Sequence, residues 1–284
     1  MTPNGRSRRA AEAAAGSRTP GIPVPAPPPE PWPSEAVAEG SLGRAVWRLR
    51  SRGCWDDAAA LLEPFAGRDA RAALRRTELL IERCAFTGQG WAAAEDALRQ
   101  AEALAGDDDE RGGAACERGH LAYTATALHV RDRSDEASAA LGRAAALLAP
   151  TSRGRAALDY RRGLLAEQSA SPQSARAAFR RAHAAATTHG DALLLSSTWR
   201  HLAGLALAEG EKAEARHGFS ESLRLREELG FVVGMAPALV ALAEVVPAAE
   251  ADRLRAEAAR LFRLMGGVPT WLGEELPSSP APAA

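Results

Sequence analysis

The chain has 284 residues, of which 46% are hydrophobic and 25% are charged, and its formal net charge at pH 7 is −1. This is ample material for a sizeable core, and the balanced charge gives no electrostatic bias toward nucleic acid or an anionic membrane. Arginine replaces lysine everywhere except at Lys212, alanine is abundant, and aromatic residues make up only 5% of the chain. This bias is typical of a bacterial protein from a GC-rich genome. Because alanine and arginine are strong helix formers, we expect an all-α fold.

Residues 1–34 are predicted to form a disordered Pro-rich tail. The basic start of the chain is followed by no apolar run, so the pattern does not favour a secretory or twin-arginine signal. Six prolines lie between Pro23 and Pro31, a density that precludes a helix and favours an extended polyproline II segment ending at Trp32. The alternative to a simple linker is a ligand for a proline-binding module.

A helical pattern occupies residues 35–266 and is clearest between Trp199 and Leu223. The first half of this stretch places apolar residues on one helical face, Gly210 ends that helix, and a second apolar stripe follows. Two short helices that face each other cannot bury their apolar sides alone. The unit therefore predicts similar neighbours stacked on both sides of it.

The same unit recurs upstream, with a large apolar residue in the second helix at intervals of roughly 36 to 43 residues. The anchors of this series are Leu62, Leu98, Leu141, Phe179 and Phe219. Glycine, proline and acidic residues predict breaks between helices. These breaks fall at Gly53-Cys54, Gly88-Gln89-Gly90, residues 106–109, residues 132–134 and Ser171-Pro172. We therefore predict about six helix-turn-helix repeats.

With these spacings, residues 36–265 resemble the tetratricopeptide repeat family, whose unit carries Trp, Leu-Gly, Tyr, Ala, Phe, Ala and Pro at fixed positions. The match is best over Tyr160–Ala182 and Trp199–Leu223. The period here is longer than the ~34 residues of the family, and Glu82 stands where a small residue is expected. The resemblance implies a right-handed α-solenoid.

The C-terminal third, residues 223–269, carries a second resemblance. It is similar to the end of the repeat region in large bacterial signal-transduction ATPase regulators. Those proteins have a phosphate-binding loop and usually a DNA-binding domain, and neither motif occurs in this sequence. The resemblance implies a regulatory or assembly setting and no catalytic residue. After residue 266 we expect a flexible tail, residues 267–284.

A search for chemistry gives no catalytic motif. The sequence contains no G-x-x-x-x-G-K-[ST], H-E-x-x-H, G-x-S-x-G or dinucleotide fingerprint. The six histidines show no ligand spacing, and the acidic residues 107–110 lack the alternating ligands and glycine of a calcium loop. We therefore predict a non-enzyme with no cofactor and no metal, and we interpret the acidic run as a favourable charge near a helix N-terminus.

Membrane and redox features point to the cytoplasm. No run reaches the ~18 apolar residues of a membrane span. Cys54, Cys84 and Cys116 form no C-x-x-C pair, so buried thiols in a reducing compartment are the simplest interpretation. Direct nucleic-acid binding is not expected, because acidic residues balance the arginine pairs and no helix-turn-helix or stacking motif is visible.

The family resemblance implies that the first helix of each repeat lines a concave face that contacts ligands. Carried over by spacing, the candidate partner-binding residues are Trp47, Arg50, Arg76, Arg83, Phe86, His129, Tyr160, Glu167, Gln168, Arg200 and Leu207. Arginine with aromatic residues suits a peptide that has an acidic residue or a free C-terminus. The alternative is that arginine simply fills a solvated face.

These features favour a non-catalytic protein-interaction or regulatory scaffold that binds a peptide or protein segment in its concave groove. The alternative is a small-molecule or signal-peptide sensor related to the arrays of ATPase regulators. That alternative requires a partly closed superhelix with a defined pocket. A third hypothesis, an enzyme with an unrecognised site, has no motif in its favour.

Overall fold

A computed structural model of the protein describes residues 40–272, and this part of the chain is helical throughout, without a strand. Twelve helices form six consecutive pairs. The helices are α1 (Gly40–Arg50), α2 (Trp55–Ala66), α3 (Ala70–Thr87), α4 (Trp91–Leu104), α5 (Asp108–Ala127), α6 (Ser134–Leu147), α7 (Arg153–Gln168), α8 (Pro172–His189), α9 (Ala192–Ala208), α10 (Lys212–Glu228), α11 (Val232–Ala243) and α12 (Ala248–Leu264). The tail predicted at residues 1–34 lies outside the described residues.

Local sequence signals begin and end these helices where the breaks are predicted. The Asp69 carboxylate caps α3 by accepting from the backbone N–H of Arg71 at 2.8 Å, and Gly88 ends that helix with a left-handed φ of 69°. Pro172 occupies the first turn of α8, where its missing N–H has no partner to lose. Each predicted break lies between helices or at the start of one.

The helices pack as an α-solenoid. Each helix contacts its neighbours in the chain, and α3 contacts α5 as α5 contacts α7, so the first helices of successive pairs lie side by side. The second-helix anchors are all buried; they are Leu62, Leu98, Leu141, Phe179 and Phe219. This confirms the all-α solenoid of six helix pairs.

The first helix pair contacts the start of the last helix pair. The indole of Trp47 on α1 stacks on the ring of Phe231, which precedes α11, with ring centroids 5.6 Å apart. The backbone N–H of Val233 donates to the carbonyl of Ser51 at 2.9 Å, and Val233 belongs to the same apolar cluster as Val46. The inner side of the solenoid is therefore partly closed.

A 3₁₀ turn at Thr270–Leu272 follows α12 and packs against α3. The Thr270 hydroxyl donates to the carbonyl of Phe86 at 3.1 Å, and Leu272 is 2% exposed. The sequence places the start of a flexible tail at residue 267, whereas residues up to 272 pack here on the repeats. Residues 273–284 lie outside the described part. Between residues 40 and 272, no helix is long and apolar enough to cross a membrane.

Candidate functional site

The inner side of the solenoid surrounds a cavity of about 500 Å³. Side chains from α1, α2, α3, α5, α7, α9, α10 and the first half of α11 line it, together with Trp271 of the 3₁₀ turn. First helices of the pairs supply most of the wall, as the family resemblance implies. The charged groups of this wall form three clusters with different electrostatic character.

The first cluster joins α1 to α3 through ion pairs between the buried Arg50 and two half-buried glutamates. Arg50 donates from Nη2 to Oε1 of Glu78 at 2.8 Å and from Nε to Oε2 of Glu82 at 3.0 Å. Burial opposes the ionisation of Glu78, but the attraction of Arg50 and Arg75 outweighs it and lowers the pKa of Glu78 to about 2. Glu82 also accepts from the indole N–H of Trp55 at 3.2 Å. These bonds explain why a glutamate replaces the small residue of the repeat pattern.

The second cluster joins α5 to α7. Arg161 donates from Nη2 to Oε1 of Glu117 at 2.6 Å and from Nη1 to Sγ of Cys116 at 2.9 Å. Burial raises the pKa of the Cys116 thiol, which therefore stays protonated at neutral pH. Arg161 is thus compensated by a carboxylate of the protein itself.

A half-buried chain of hydrogen bonds joins α7 to α9. Nδ1 of His201 lies 2.8 Å from Oε2 of Glu167, and Nε2 lies 3.2 Å from the hydroxyl of Tyr160. Because the carboxylate can only accept, Nδ1 carries the proton and Nε2 accepts from the phenol. Burial lowers the pKa of His201, although Glu167 opposes the shift, and burial raises the pKa of Tyr160. Both groups are therefore neutral at physiological pH.

The third cluster, which we call the basic end, consists of Arg200 on α9 and Arg226 on α10. The guanidinium carbon of Arg200 lies 5.0 Å from the ring centroid of Trp271. Arg226 is 7% exposed and donates to the carbonyl of Gly234 at 2.6 Å and to the hydroxyl of Ser196 at 3.3 Å. Within residues 40–272, neither arginine forms an ion pair. The basic end is thus a part of the wall where two neighbouring arginines have no ion pair with residues 40–272.

Five of the candidate binding residues lie on the cavity wall. They are Trp47, Arg50, Phe86, Tyr160 and Arg200. Their contacts differ: Arg50 is held by two carboxylates, Tyr160 bonds His201, and Phe86 packs on the Trp55 ring at 4.9 Å. Whether these residues bind a partner stays a prediction.

Arg76 and Arg83 lie outside the cavity. Arg76 is 3.7 Å from Glu63 and Arg83 is 3.1 Å from Asp56, and both carboxylates belong to α2. The neighbouring Arg75 faces the cavity instead. Successive residues are about 100° apart around a helix, so a one-residue shift of register turns a side chain of α3 from the inner face toward α2.

The other four candidates also lie off the wall. His129 is in the turn after α5 with a left-handed φ of 53°, and Gln168 is at the end of α7. Glu167 does not line the cavity itself but bonds His201, which does. Leu207 packs against the apolar cluster of the last two helix pairs.

The sequence reasoning missed several wall residues because it searched only first helices. Arg226 stands in a second helix, Phe231 precedes α11, and Trp271 belongs to the expected tail. One signal was available: the apolar stripe through Phe219 and Ser222 continues at helical spacing to Arg226. An arginine on a buried stripe indicates a buried charge and therefore a candidate site.

Metal ligands are not assembled in this part of the chain. Among residues 40–272, no group of three or more His, Cys, Asp or Glu side chains is placed to hold a metal ion. In the acidic run 107–110, the Asp107 carboxylate accepts from the backbone N–H of Glu110 at 2.8 Å as the N-cap of α5. The favourable position predicted for this charge is confirmed.

Comparison with known proteins gives a likeness of fold. No family model and no curated protein sequence matches the chain. The crystal structure of BtubC (BKLC) from P. vanneervenii is similar, with a TM-score of 0.51 and 16% sequence identity, over 86% of this chain and 97% of that one. At this identity the likeness concerns the helical architecture alone.

Proposed function

We propose that the protein is a non-catalytic regulatory binding protein that holds a small molecule or the end of a peptide inside its partly closed solenoid. The observation that carries this proposal is the contact between α1 and the start of α11, which turns a concave face into a cavity of about 500 Å³. Small-ligand sites in proteins occupy roughly 300–1,000 Å³. The proposal is therefore the sensor alternative of the sequence analysis.

The contacts on the wall support binding rather than turnover. Arg50 and Arg161 are already paired with carboxylates, and His201 is held between Glu167 and Tyr160. Side chains fixed in this way give a rigid wall that favours one ligand shape. No motif for a nucleophile with its base accompanies them.

The class of the repeats belongs to the same proposal. Six helix pairs with buried second-helix anchors, together with the likeness to a solved helical protein, support membership of the tetratricopeptide class. A cytoplasmic bacterial setting is consistent with the free thiols and the arginine-rich composition. The protein-scaffold hypothesis requires a longer peptide to lie across the inner face. The contact between Trp47 and Phe231 limits the space for such a peptide, which favours a smaller ligand.

The proposal is tested by native mass spectrometry of protein purified from its own host, with a cavity-filling variant. Ala157 lines the cavity on α7, so Ala157→Trp places an indole inside it. Ala184 is exposed on α8, so Ala184→Trp is the matched control. We expect a bound mass on the wild type and on Ala184→Trp that is lost from Ala157→Trp.

Two results would overturn the proposal. One is a ligand that Ala157→Trp retains, which would place binding elsewhere. The other is the absence of any bound small molecule or peptide, together with a protein partner that both variants capture equally. That second result would favour the scaffold hypothesis, with recognition on the outer surface.

A further inference from the structure

The basic end of the cavity carries more positive charge than the protein neutralises. Arg226 is 7% exposed, yet both groups that accept its hydrogen bonds, the Gly234 carbonyl and the Ser196 hydroxyl, are uncharged. A buried guanidinium is ordinarily paired with a carboxylate because burial removes its hydration. Here that counter-charge does not come from residues 40–272.

Arg200 adds a second charge at the same place. Its Nε atom is buried and has no acceptor within the described residues, and its guanidinium lies over the face of Trp271. Stacking on an indole fixes the plane of the guanidinium without using its N–H groups. Those donors remain available to a ligand.

Two other arginines of the wall, both buried, provide the contrast. Arg50 is held by Glu78 and Glu82, and Arg161 is held by Glu117. The same fold thus neutralises two buried arginines of the wall, whereas no carboxylate among residues 40–272 forms an ion pair with Arg200 or Arg226. Burial and the neighbouring charge of Arg200 lower the pKa of Arg226 to about 10, so it is still charged at neutral pH.

We propose that Arg200 and Arg226 form a subsite for the oxyanion of the ligand, a carboxylate or a phosphate, whose apolar part contacts Trp271 and Phe231. All four side chains line the cavity. Guanidinium groups bind both oxyanions through charge-assisted hydrogen bonds, and the flanking rings supply the apolar contact. This inference rests on the proposed function and specifies the chemistry of the ligand.

The test uses three probes of similar shape: phenylacetate, phenyl phosphate and the neutral phenylacetamide. Binding to the full chain is measured by calorimetry, and the Nε–H signals of the arginines are followed by NMR. We expect at least one charged probe to bind at least tenfold more tightly than phenylacetamide and to shift the Arg200 and Arg226 signals. The preferred charged probe distinguishes a carboxylate ligand from a phosphate ligand.

Variants assign the binding to the arginine pair. Arg200→Gln and Arg226→Gln should each weaken the charged probe at least tenfold. Arg83→Gln, which removes an arginine that faces α2, should change its affinity less than twofold. Arg226 also bonds Gly234, so circular dichroism checks that its variant is folded; Arg200 has no such bond, and its variant carries the test alone if Arg226→Gln unfolds.

Three results with the probes and the arginine variants would overturn the inference. They are equal binding of the neutral probe, no binding of either charged probe, and unchanged affinity in Arg200→Gln. A further control replaces the acidic residues that follow the 3₁₀ turn in sequence, as Glu274→Gln with Glu275→Gln. A tenfold gain of affinity in that variant would also overturn it, because the arginine pair would then serve the chain's own carboxylates.

Failure of the inference is distinguishable from failure of the proposed function. If Ala157→Trp loses the natural ligand but Arg200→Gln retains it, the ligand binds in the cavity, and the oxyanion subsite is contradicted. The opposite outcome is a charged probe whose binding requires Arg200, together with a natural ligand whose binding Ala157→Trp does not change. It would support the oxyanion subsite and show that the natural ligand binds outside the cavity.

Discussion

The indole of Trp47 stacks on the ring of Phe231 with 21° between the two planes, although Trp47 belongs to the first helix pair of the solenoid and Phe231 directly precedes the last. Arrays of helical repeats ordinarily contact only their immediate neighbours. The stack therefore adds a long-range contact that a straight array lacks. It also bounds the cavity, since both rings line it.

Trp47→Ala should separate the first helix pair from the start of α11. The substitution removes a side chain that is 8% exposed, and truncation of a buried Trp costs about 3–5 kcal/mol of unfolding free energy. Urea denaturation measures this loss, and hydrogen exchange of the Val233 amide, which bonds Ser51, reports the opening. Phe65→Ala, at an exposed ring on α2, is the control and should leave that exchange rate unchanged. An unaltered Val233 amide in Trp47→Ala would show that the stack does not hold the ends together.

Arg50→Ala should destabilise the protein. It leaves the carboxylates of Glu78 and Glu82 without this counter-charge. Because their side chains are 33% and 24% exposed, the cost should lie between the roughly 1 kcal/mol of an exposed pair and the about 3–5 kcal/mol of a fully buried one. Arg99→Ala is the matched control because Arg99 and Asp96 are both about two-thirds exposed, and such pairs contribute roughly 0–1 kcal/mol. Comparable denaturation midpoints for the two variants would contradict this assignment of the Arg50 network.

The helical architecture could be predicted because it depends on local periodicity. Phe179 and Phe219 fall at corresponding positions of their second helices, and a buried stripe at helical spacing is visible within a single repeat. Turn residues such as Gly88 and Pro172 set the boundaries through backbone conformations that the sequence carries directly. These are short-range properties.

The site could be predicted only in part because closure is a long-range property. The meeting of Trp47 with Phe231 depends on the rotation accumulated over six pairs, which no single repeat encodes. Register on the first helices was the second difficulty. Arg75 lines the cavity, whereas its neighbour Arg76 faces α2. A spacing carried over from a degenerate repeat is not precise to one residue, so it selected Arg76.

The stability of the fold should fall as the pH drops below neutrality, and His201 should account for part of that loss. Burial lowers the pKa of His201 in the folded state, so the unfolded chain takes up a proton at a higher pH than the native protein does. Stability is therefore full above the ordinary histidine pKa of 6.5 and declines as the pH falls through it. Melting temperatures between about pH 7.5 and 5.5 measure the loss.

His201→Gln should reduce this acid sensitivity, since glutamine does not titrate. Burial also lowers the pKa of His183, so His183→Gln should remove a further part of the loss. His217→Gln, at an exposed position, is the control and should retain the wild-type profile. An identical pH dependence in wild type and His201→Gln would show that His201 does not contribute to the loss of stability in acid.

Gly163→Ala should destabilise the pairing of α7 with α8, whereas Gly204→Ala should not harm the fold. A methyl group at Gly163 would lie 2.5 Å from Cδ1 of the buried Phe179 ring, and overpacking of a core costs about 1–3 kcal/mol. Gly204 is also inside a helix, α9, but an added methyl group meets nothing within 4 Å. There alanine should stabilise the helix by up to about 1 kcal/mol through its better propensity. Urea denaturation of the two variants measures the difference in unfolding free energy. Equal effects would mean that the Phe179 ring can move aside and that the close approach of α7 and α8 does not require glycine.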